Sequence, residues 1–514
     1  MNFYKEISLY KPKRLDQSKK NIFVLYDQLS NIHPLITDPK KEILLFIESS
    51  KKPTLRNYHK QKLVFILSSM RHFALEKAKL GFEIIYHYSE NFYDTALDEV
   101  RKQYALCEIG LLEPAEYETS SSLKHLDFLK IESNTLFLST KEEFEILFQN
   151  KKNYLLETFY RFMRVKYSIL MEGKKPIGGI WNFDKENREP FKFKDEVKNS
   201  SWIKKQDSVT LEVINLVNTK YKNHFGNLEN FEWAVTRNEA LHWLNNFIEF
   251  QLPNFGKYED AMSIKHPYLF HSLISPYLNN GLLHPMECIE AAIQSYERGN
   301  SELNSVEGFI RQILGWREYM RHVFNQNPKD YASQNFFNHK NPLPKFYWEA
   351  NSKMKCVDET ISSVIKNSHS HHITRLMILS NLANLLNINP KELNDWFYEM
   401  YIDAFDWVVT PNVIGMGLYA DGGIISTKPY IASANYIQKM GSEFCKNCIY
   451  DSKKILEEDG CPFNSLYWNF IIEKKSFYKK LPRDYSIIHL NKMSLEKIES
   501  IQKKAKSIRE EIYG

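Results

Sequence analysis

Ile22-Phe23-Val24-Leu25-Tyr26, Ile43-Leu44-Leu45-Phe46-Ile47 and, just after Gly81, Phe82-Glu83-Ile84-Ile85-Tyr86 are the stretches that decide the fold of the first part of this chain. Each is an apolar run of strand length, and between the second and third, Lys60 to Leu80 carries apolar residues at helical spacing. Strand–helix–strand alternation predicts a parallel sheet covered by helices, so residues 21–140 are expected to form a Rossmann-like α/β domain. No G-x-G-x-x-G follows the first run, so the ordinary dinucleotide fingerprint is absent. Ahead of it, residues 1–20 form a basic extension (Lys5, Lys11, Lys13, Arg14, Lys19, Lys20) without the apolar core of a signal peptide.

Beyond the α/β part, residues 141–230 read as an interdomain connector around the turn-rich Gly173-Lys-Lys-Pro176-Ile-Gly178-Gly179. From 231 to 514 helical periodicity dominates, for example over Glu239–Phe250, Met286–Tyr296, Glu307–Arg321, Ile373–Leu386 and Leu393–Tyr401, which predicts a large all-α domain. The charged tail from Leu495 to Gly514 reads as a solvated helix. A net charge of +5 permits a polyanionic partner without demanding one. No apolar run approaches the length of a membrane span, and the expectation is a cytoplasmic monomer.

Four of the six cysteines form one constellation. Cys445-Lys-Asn-Cys448 is followed by twelve residues and then Cys461-Pro462, with Cys356 far upstream. Thiolates at this density beside a C-P step suit an iron–sulfur cluster. Zinc is a rival, although structural zinc sites usually pair two C-x-x-C knuckles and only one is present. Ordinary buried cysteines are the third reading.

The chain resembles the photolyase/cryptochrome superfamily, specifically its iron–sulfur bacterial branch, which includes the prokaryotic (6-4) photolyases. The resemblance runs from about Asn21 to about Phe470 and rests on an ordered set of segments. These include Asp27-Gln28-Leu29-Ser30, Met70-Arg71-His72-Phe73, Tyr160-Arg161-Phe162-Met163-Arg164 and Trp181-Asn182-Phe183-Asp184. Further on come Phe255-Gly256-Lys257-Tyr258-Glu259-Asp260, His271-Ser272-Leu273-Ile274-Ser275, Ser370-His371-His372-Ile373, Ala420-Asp421-Gly422-Gly423 and Cys461-Pro462-Phe463-Asn464.

The resemblance implies a (6-4) DNA photolyase, a carbon–carbon lyase that binds UV-damaged DNA and uses FAD and blue light; a blue-light cryptochrome of the same fold is the alternative. It implies that Cys356, Cys445, Cys448 and Cys461 hold a [4Fe–4S] cluster. Ser272, Leu273 and Ser275 match the FAD diphosphate turn, where hydroxyls and backbone N–H groups meet phosphate oxygens. Arg375 and Asp403 match groups near the flavin, and Val409 matches the position facing flavin N5. His372 is expected to give a proton to the lesion with His371 as its partner, imidazole being the side chain that titrates nearest neutral pH. Tyr430 and Met416 match the lesion-pocket wall. Asp184, Glu186 and Asp260 match a divalent-cation site suited to Mg²⁺. Arg188 and Lys428 are expected at DNA phosphates, with Lys474, Lys475, Lys479, Lys480 and Arg483 as a further basic cluster. Trp396 and Trp348 match members of an electron-conducting aromatic chain.

Three departures are visible. Phe397 and Phe405 stand where tyrosines occur in this branch, so neither can lose a phenolic proton. Val409 can neither donate nor accept a hydrogen bond. In the lumazine-antenna segment Glu48 is retained, but Lys52 and Leu55 replace a Glu and a Tyr, which puts an antenna chromophore in doubt.

Overall fold

In the computed structural model, residues 2–149, 151, 153–191, 197, 206–481 and 485–513 are described. Arg483 lies outside them. Five parallel strands form one sheet in the order β3-β2-β1-β4-β5: β1 Lys20–Phe23, β2 Glu42–Ser49, β3 Glu83–Ser89, β4 Ile109–Leu112 and β5 Leu129–Glu132. β2 is buried along its whole length, as expected of a strand covered on both faces. The apolar run at 22–26 outlasts its strand: β1 ends at Phe23, and the chain turns at Asp27-Gln28 toward the helical half. Strands β4 and β5 are short and lie toward one edge, and β5 is largely exposed, so both carry a weak sequence signal.

Helix Lys60–Lys79 is buried on nearly all sides because it lies between the sheet, helix Ser208–Lys220 and the helical half. Its buried cationic groups are paired, since an unpaired buried charge is costly. Lys62 Nζ donates to the carbonyls of Tyr398 (2.7 Å) and Ala404 (2.6 Å), and burial brings its pKa down to about 7. Arg71 donates to both carboxylate oxygens of Glu48, at 3.0 and 2.9 Å. Removing one member of such a buried pair costs about 3–5 kcal/mol. A further seam between the halves runs from Leu29 N–H to the Asn280 carbonyl (2.9 Å). It depends on Gly281, whose φ is +90° and whose added Cβ would come within 2.9 Å of Leu29 N.

The basic start of the chain is anchored: helix Phe3–Ile7 buries Phe3 and Ile7, and the Arg71 guanidinium lies over the Phe3 ring at 4.9 Å. The tail helix, Leu495–Tyr513, differs from a fully solvated element. It buries Ile501, Ala505 and Ile508 against helix Pro462–Glu473, and Arg509 pairs with Glu473 at 3.0 Å. No described helix is long and apolar enough to cross a membrane.

Among the described residues, the helical half contains four π-helical stretches, Phe247–Gln251, Arg311–Arg317, Thr374–Ser380 and Pro411–Gly417. A π turn inserts a residue into the helical ladder and re-aims the side chains around it. The last three carry residues that line one cavity.

Candidate active site and cysteine centre

That cavity, about 670 Å³, opens in the helical half and lies within the usual range of ligand pockets. Ser272, Leu273, Ser275, His371, His372, Arg375, Asp403, Val409, Met416, Lys428, Tyr430, Asp260 and Arg188 all line it. Segments about 240 residues apart in sequence thus converge on one volume. Leu273 is held at φ +55°, a strained value for a branched residue, in the turn that leads into helix Ser275–Asn279.

Asp403 is the electrostatic anchor. Arg375 grips both its oxygens (3.0 and 3.1 Å), Ser275 Oγ donates to it (2.7 Å) and Asn279 donates to its main-chain carbonyl (2.9 Å). Burial would raise the pKa of this carboxyl, but Arg375 and the donated hydrogen bonds bring it to about 2. A donor for the buried Asp is thus supplied within the chain, and the Ser275 hydroxyl is committed to Asp403. Arg375 also lies 4.1 Å over the Tyr401 ring, which fixes the guanidinium in place.

The adjacent histidines differ in setting. His371 is buried, with no hydrogen-bond partner for its Nδ1, whereas His372 faces the open cavity. Burial, then neighbouring imidazoles and Arg375, holds both well below the ordinary histidine value. His271, a landmark in the sequence with no role assigned, packs against both rings.

The four predicted cysteines also come together. Cys356 sits at the start of helix Lys355–Asn367, Cys445 on helix Ser442–Lys446, and Cys461 caps helix Pro462–Glu473. Cys448 N–H donates to the Cys445 carbonyl at 3.3 Å, closing the C-x-x-C turn. Burial raises the Cys356 thiol well above its normal value, and the charges of Cys461, Cys445 and Cys448 raise it further. Cys461 is pushed up to about 12 and Cys445 to about 11, burial first and neighbouring cysteines after. These raised values keep the sulfurs as protonated thiols, and a bound metal would displace those protons.

Residues 22–233 match the deoxyribodipyrimidine photo-lyase-related protein family. A (6-4) photolyase of Agrobacterium fabrum is 40% identical over 470 residues, covering 89% of this chain and 92% of its own length. The chain belongs to the photolyase/cryptochrome superfamily, in its bacterial (6-4) photolyase branch. A bacterial class III photolyase from Agrobacterium tumefaciens shares the fold, with a TM-score of 0.60 at 14% identity, over 97% of this chain and 98% of its own. An archaeal photolyase from Sulfolobus tokodaii, solved with two FAD molecules, has a TM-score of 0.54 at 14% identity, over 95% and 100%. These two likenesses bear on the fold alone.

Against this photolyase frame, the acidic residues depart from expectation. Glu186 is exposed and lines no part of the cavity. Asp184 pairs with Arg311, while Asp260 accepts from Tyr436 (3.2 Å) and has Arg188 at 3.9 Å. Two of the three carboxylates are thus held by the chain's own arginines and the third lies outside the cavity, so the trio does not fit a Mg²⁺ site. The buried acid here is Glu259, which accepts from Asn187 (3.1 Å) and Gln312 (2.9 Å).

Burial raises the Glu259 pKa from 4.5 to about 7, with Arg311 opposing and Asp260 adding to the rise. A raised folded value means stability that is complete below pH 4.5 and is lost as pH climbs through about 7. The expected loss is about 3 kcal/mol. Thermal melts between pH 4.5 and 8 should show this slope in the unaltered protein and lose it in Glu259→Gln. An identical slope in the variant would assign it to other groups.

The aromatic residues are only partly joined. Trp396 is buried, its Nε1 donating to the Tyr347 carbonyl at 3.1 Å, and its ring is 5.2 Å from that of Tyr347. Phe397 lines the cavity and lies 5.3 Å from Trp396. Trp348 is 37% exposed and follows Tyr347 in sequence, and Tyr347, to which the sequence assigns no role, is one of the rings in contact with Trp396. Within the basic cluster, Lys474 turns inward to donate to the Phe337 carbonyl at 3.0 Å, whereas Lys479 and Lys480 are exposed.

Proposed function

We propose that this protein is a light-dependent (6-4) DNA photolyase, in which reduced FAD sits in the 670 Å³ cavity and His372 protonates a flipped-out lesion. The observation that carries it is the convergence, on one volume, of the Asp403–Arg375 anchor, the two adjacent histidines, and Met416 and Tyr430. The residues present fit a flavin: a cavity of the right size, a charged pair at its floor and an apolar wall including Val409. When bound, reduced FAD supplies the electron that blue light drives into the lesion. Arg375 and Asp403 orient it, Ser272 and the backbone turn at Leu273 lie where its diphosphate is received, and Met416 and Tyr430 close around the lesion. Arg188 and Lys428, both exposed at the cavity, meet phosphates of the strand.

In this reading residues 21–140 form the antenna-type domain, 141–230 the connector and 231–514 the catalytic domain, with Cys356, Cys445, Cys448 and Cys461 holding a [4Fe–4S] cluster. Trp396 and Trp348 serve electron resupply through Tyr347. The cryptochrome alternative leaves the proton-donor position without a purpose. Binding tests the assignment of lesion: a duplex with one (6-4) photoproduct should bind more tightly than an undamaged or a cyclobutane-dimer duplex. Equal affinities for all three would contradict it.

The antenna cavity argues against a lumazine. It measures only about 50 Å³, far below the roughly 300 Å³ where ligand pockets begin. Lys52 Nζ lies inside it, paired with buried Glu116 at 2.9 Å, and Tyr26 and Tyr398 donate to the same carboxylate. Glu48 is already occupied by Arg71 and by Tyr86, whose hydroxyl donates at 2.8 Å. Leu55 is 41% exposed and lines no part of the cavity. Free lumazine should therefore bind weakly or not at all, as read by fluorescence titration beside a Lys52→Glu, Leu55→Tyr double variant. Tight binding by the unaltered protein, with no gain in the variant, would place the antenna site elsewhere.

A further inference from the structure

His271 stands behind the two histidines assigned to the repair chemistry, and its geometry differs from theirs. Its ring stacks on His371 (centroids 4.4 Å apart, planes 17°) and meets His372 edge-on at 5.2 Å. One ring nitrogen from each of the three lies within 4.8 Å of the others. Its own nitrogens both face main-chain carbonyls: Nδ1 is 2.9 Å from the Tyr268 oxygen and Nε2 is 3.2 Å from the Glu259 oxygen.

A neutral imidazole has a single N–H, so one of these two carbonyls would be left facing a lone pair. The imidazolium donates to both. His371, by contrast, has a buried Nδ1 with no partner, and His372 looks into the cavity. Of the three rings, His271 is thus the one whose protonated form is built into the backbone around it. Stacked at 4.4 Å, His271 and His371 cannot both be charged without strong repulsion, so the cluster holds one proton at a time.

We propose that His271 is a positioning residue of the repair reaction, holding the proton of the three-histidine cluster and supplying it to His372 for protonation of the lesion. The proposal rests on the photolyase reading above. In the step, the proton on His271 passes through a bridging water to His372, and the imidazolium so formed gives that proton to the lesion. His271 is left neutral until solvent restores the proton. A water relay suits nitrogens too far apart for a direct hydrogen bond.

The charged and titratable groups facing the cluster set its balance. Arg375, Arg311 and His369 disfavour a proton on it, while the Tyr268 and Glu259 carbonyls favour one on His271. Burial lowers His271 to about 4, whereas His371 and His372 are driven well below the normal value. The negative charge of bound FAD and DNA will raise all three, and the carbonyl pair keeps His271 first in order.

Two measurements test this on the full-length, FAD-loaded protein. ¹⁵N-imidazole NMR over an acid titration should show His271 taking up a proton before His371 and His372, with hydrogens on both of its nitrogens. Protonation of His371 or His372 first would overturn the proposal, and this readout is independent of whether the protein repairs DNA. For the second, the rate of (6-4) repair in the unaltered protein should fall as pH rises. His271→Phe, which keeps a ring for the stack but carries no proton, should lower repair about tenfold and flatten that pH dependence while FAD photoreduction is retained. His271→Gln is the second variant in case Phe disturbs flavin binding. Full repair with the original pH profile in either flavin-loaded variant would overturn the proposal. Absence of repair in the unaltered protein would count against the photolyase reading and leave the NMR order to decide the role of His271.

Discussion

His372→Ala is expected to cut (6-4) repair by about 10²–10⁴-fold while leaving FAD content and photoreduction intact. His372 faces the open cavity and does not belong to the Asp403–Arg375 anchor, so its removal leaves that anchor in place. What is lost is the group able to deliver a proton to the oxygen or nitrogen transferred between the two pyrimidines. The ring is held neutral near pH 7 by burial, His271, Arg375 and Arg311, so its charged form is scarce until a negative substrate arrives. A proton donor of this kind works better toward acid, and repair by the unaltered protein should fall as pH rises. Repair at the original rate in the variant would take His372 out of the mechanism and move the role to His371.

Cys445→Ser should have the largest effect on the protein itself. Helices Lys355–Asn367 and Ser442–Lys446 each carry one of the cysteines and Cys461 caps helix Pro462–Glu473, so a metal centre bound by the four would tie these helices together. Metal binding and folding are coupled in such sites. The variant is expected to be poorly soluble and to retain little flavin. Anaerobically purified unaltered protein should contain about four irons and four sulfides per chain, as a cubane with four cysteine ligands requires. Stoichiometric zinc without iron would replace the cluster by a structural zinc site.

The C-x-x-C turn and the C-P step were legible because their signal is local, whereas Cys356, far upstream, joined them only through the resemblance. The sheet core was legible for the same reason, since β2 carries an unbroken apolar run from Ile43 to Ile47. Strands β4 and β5 were not, because each is only four residues long and β5 is largely exposed. Within the cavity, residue identities could be named but not their partners. Ser275 looks like a phosphate ligand until its hydroxyl is seen on Asp403, and Glu186 looks like a metal ligand until it is seen at the surface. Three cavity walls are π-helical, a ladder that 3.6-residue periodicity does not anticipate, and they carry Arg311, Arg375 and Met416. The importance of His271 likewise lies in two carbonyls and two ring contacts, none of which is written in the spacing of the histidines.

Light-driven restoration of a defined lesion tests the central claim most directly. The FAD-reduced protein is mixed with an oligonucleotide bearing a single (6-4) photoproduct, and separately with one bearing a cyclobutane dimer, and the recovered pyrimidines are counted after blue light and in darkness. The account predicts restoration of the (6-4) substrate in the light alone, with the cyclobutane substrate left unchanged. Restoration of neither, in a protein that carries FAD and photoreduces it, would contradict the account and identify a light sensor instead.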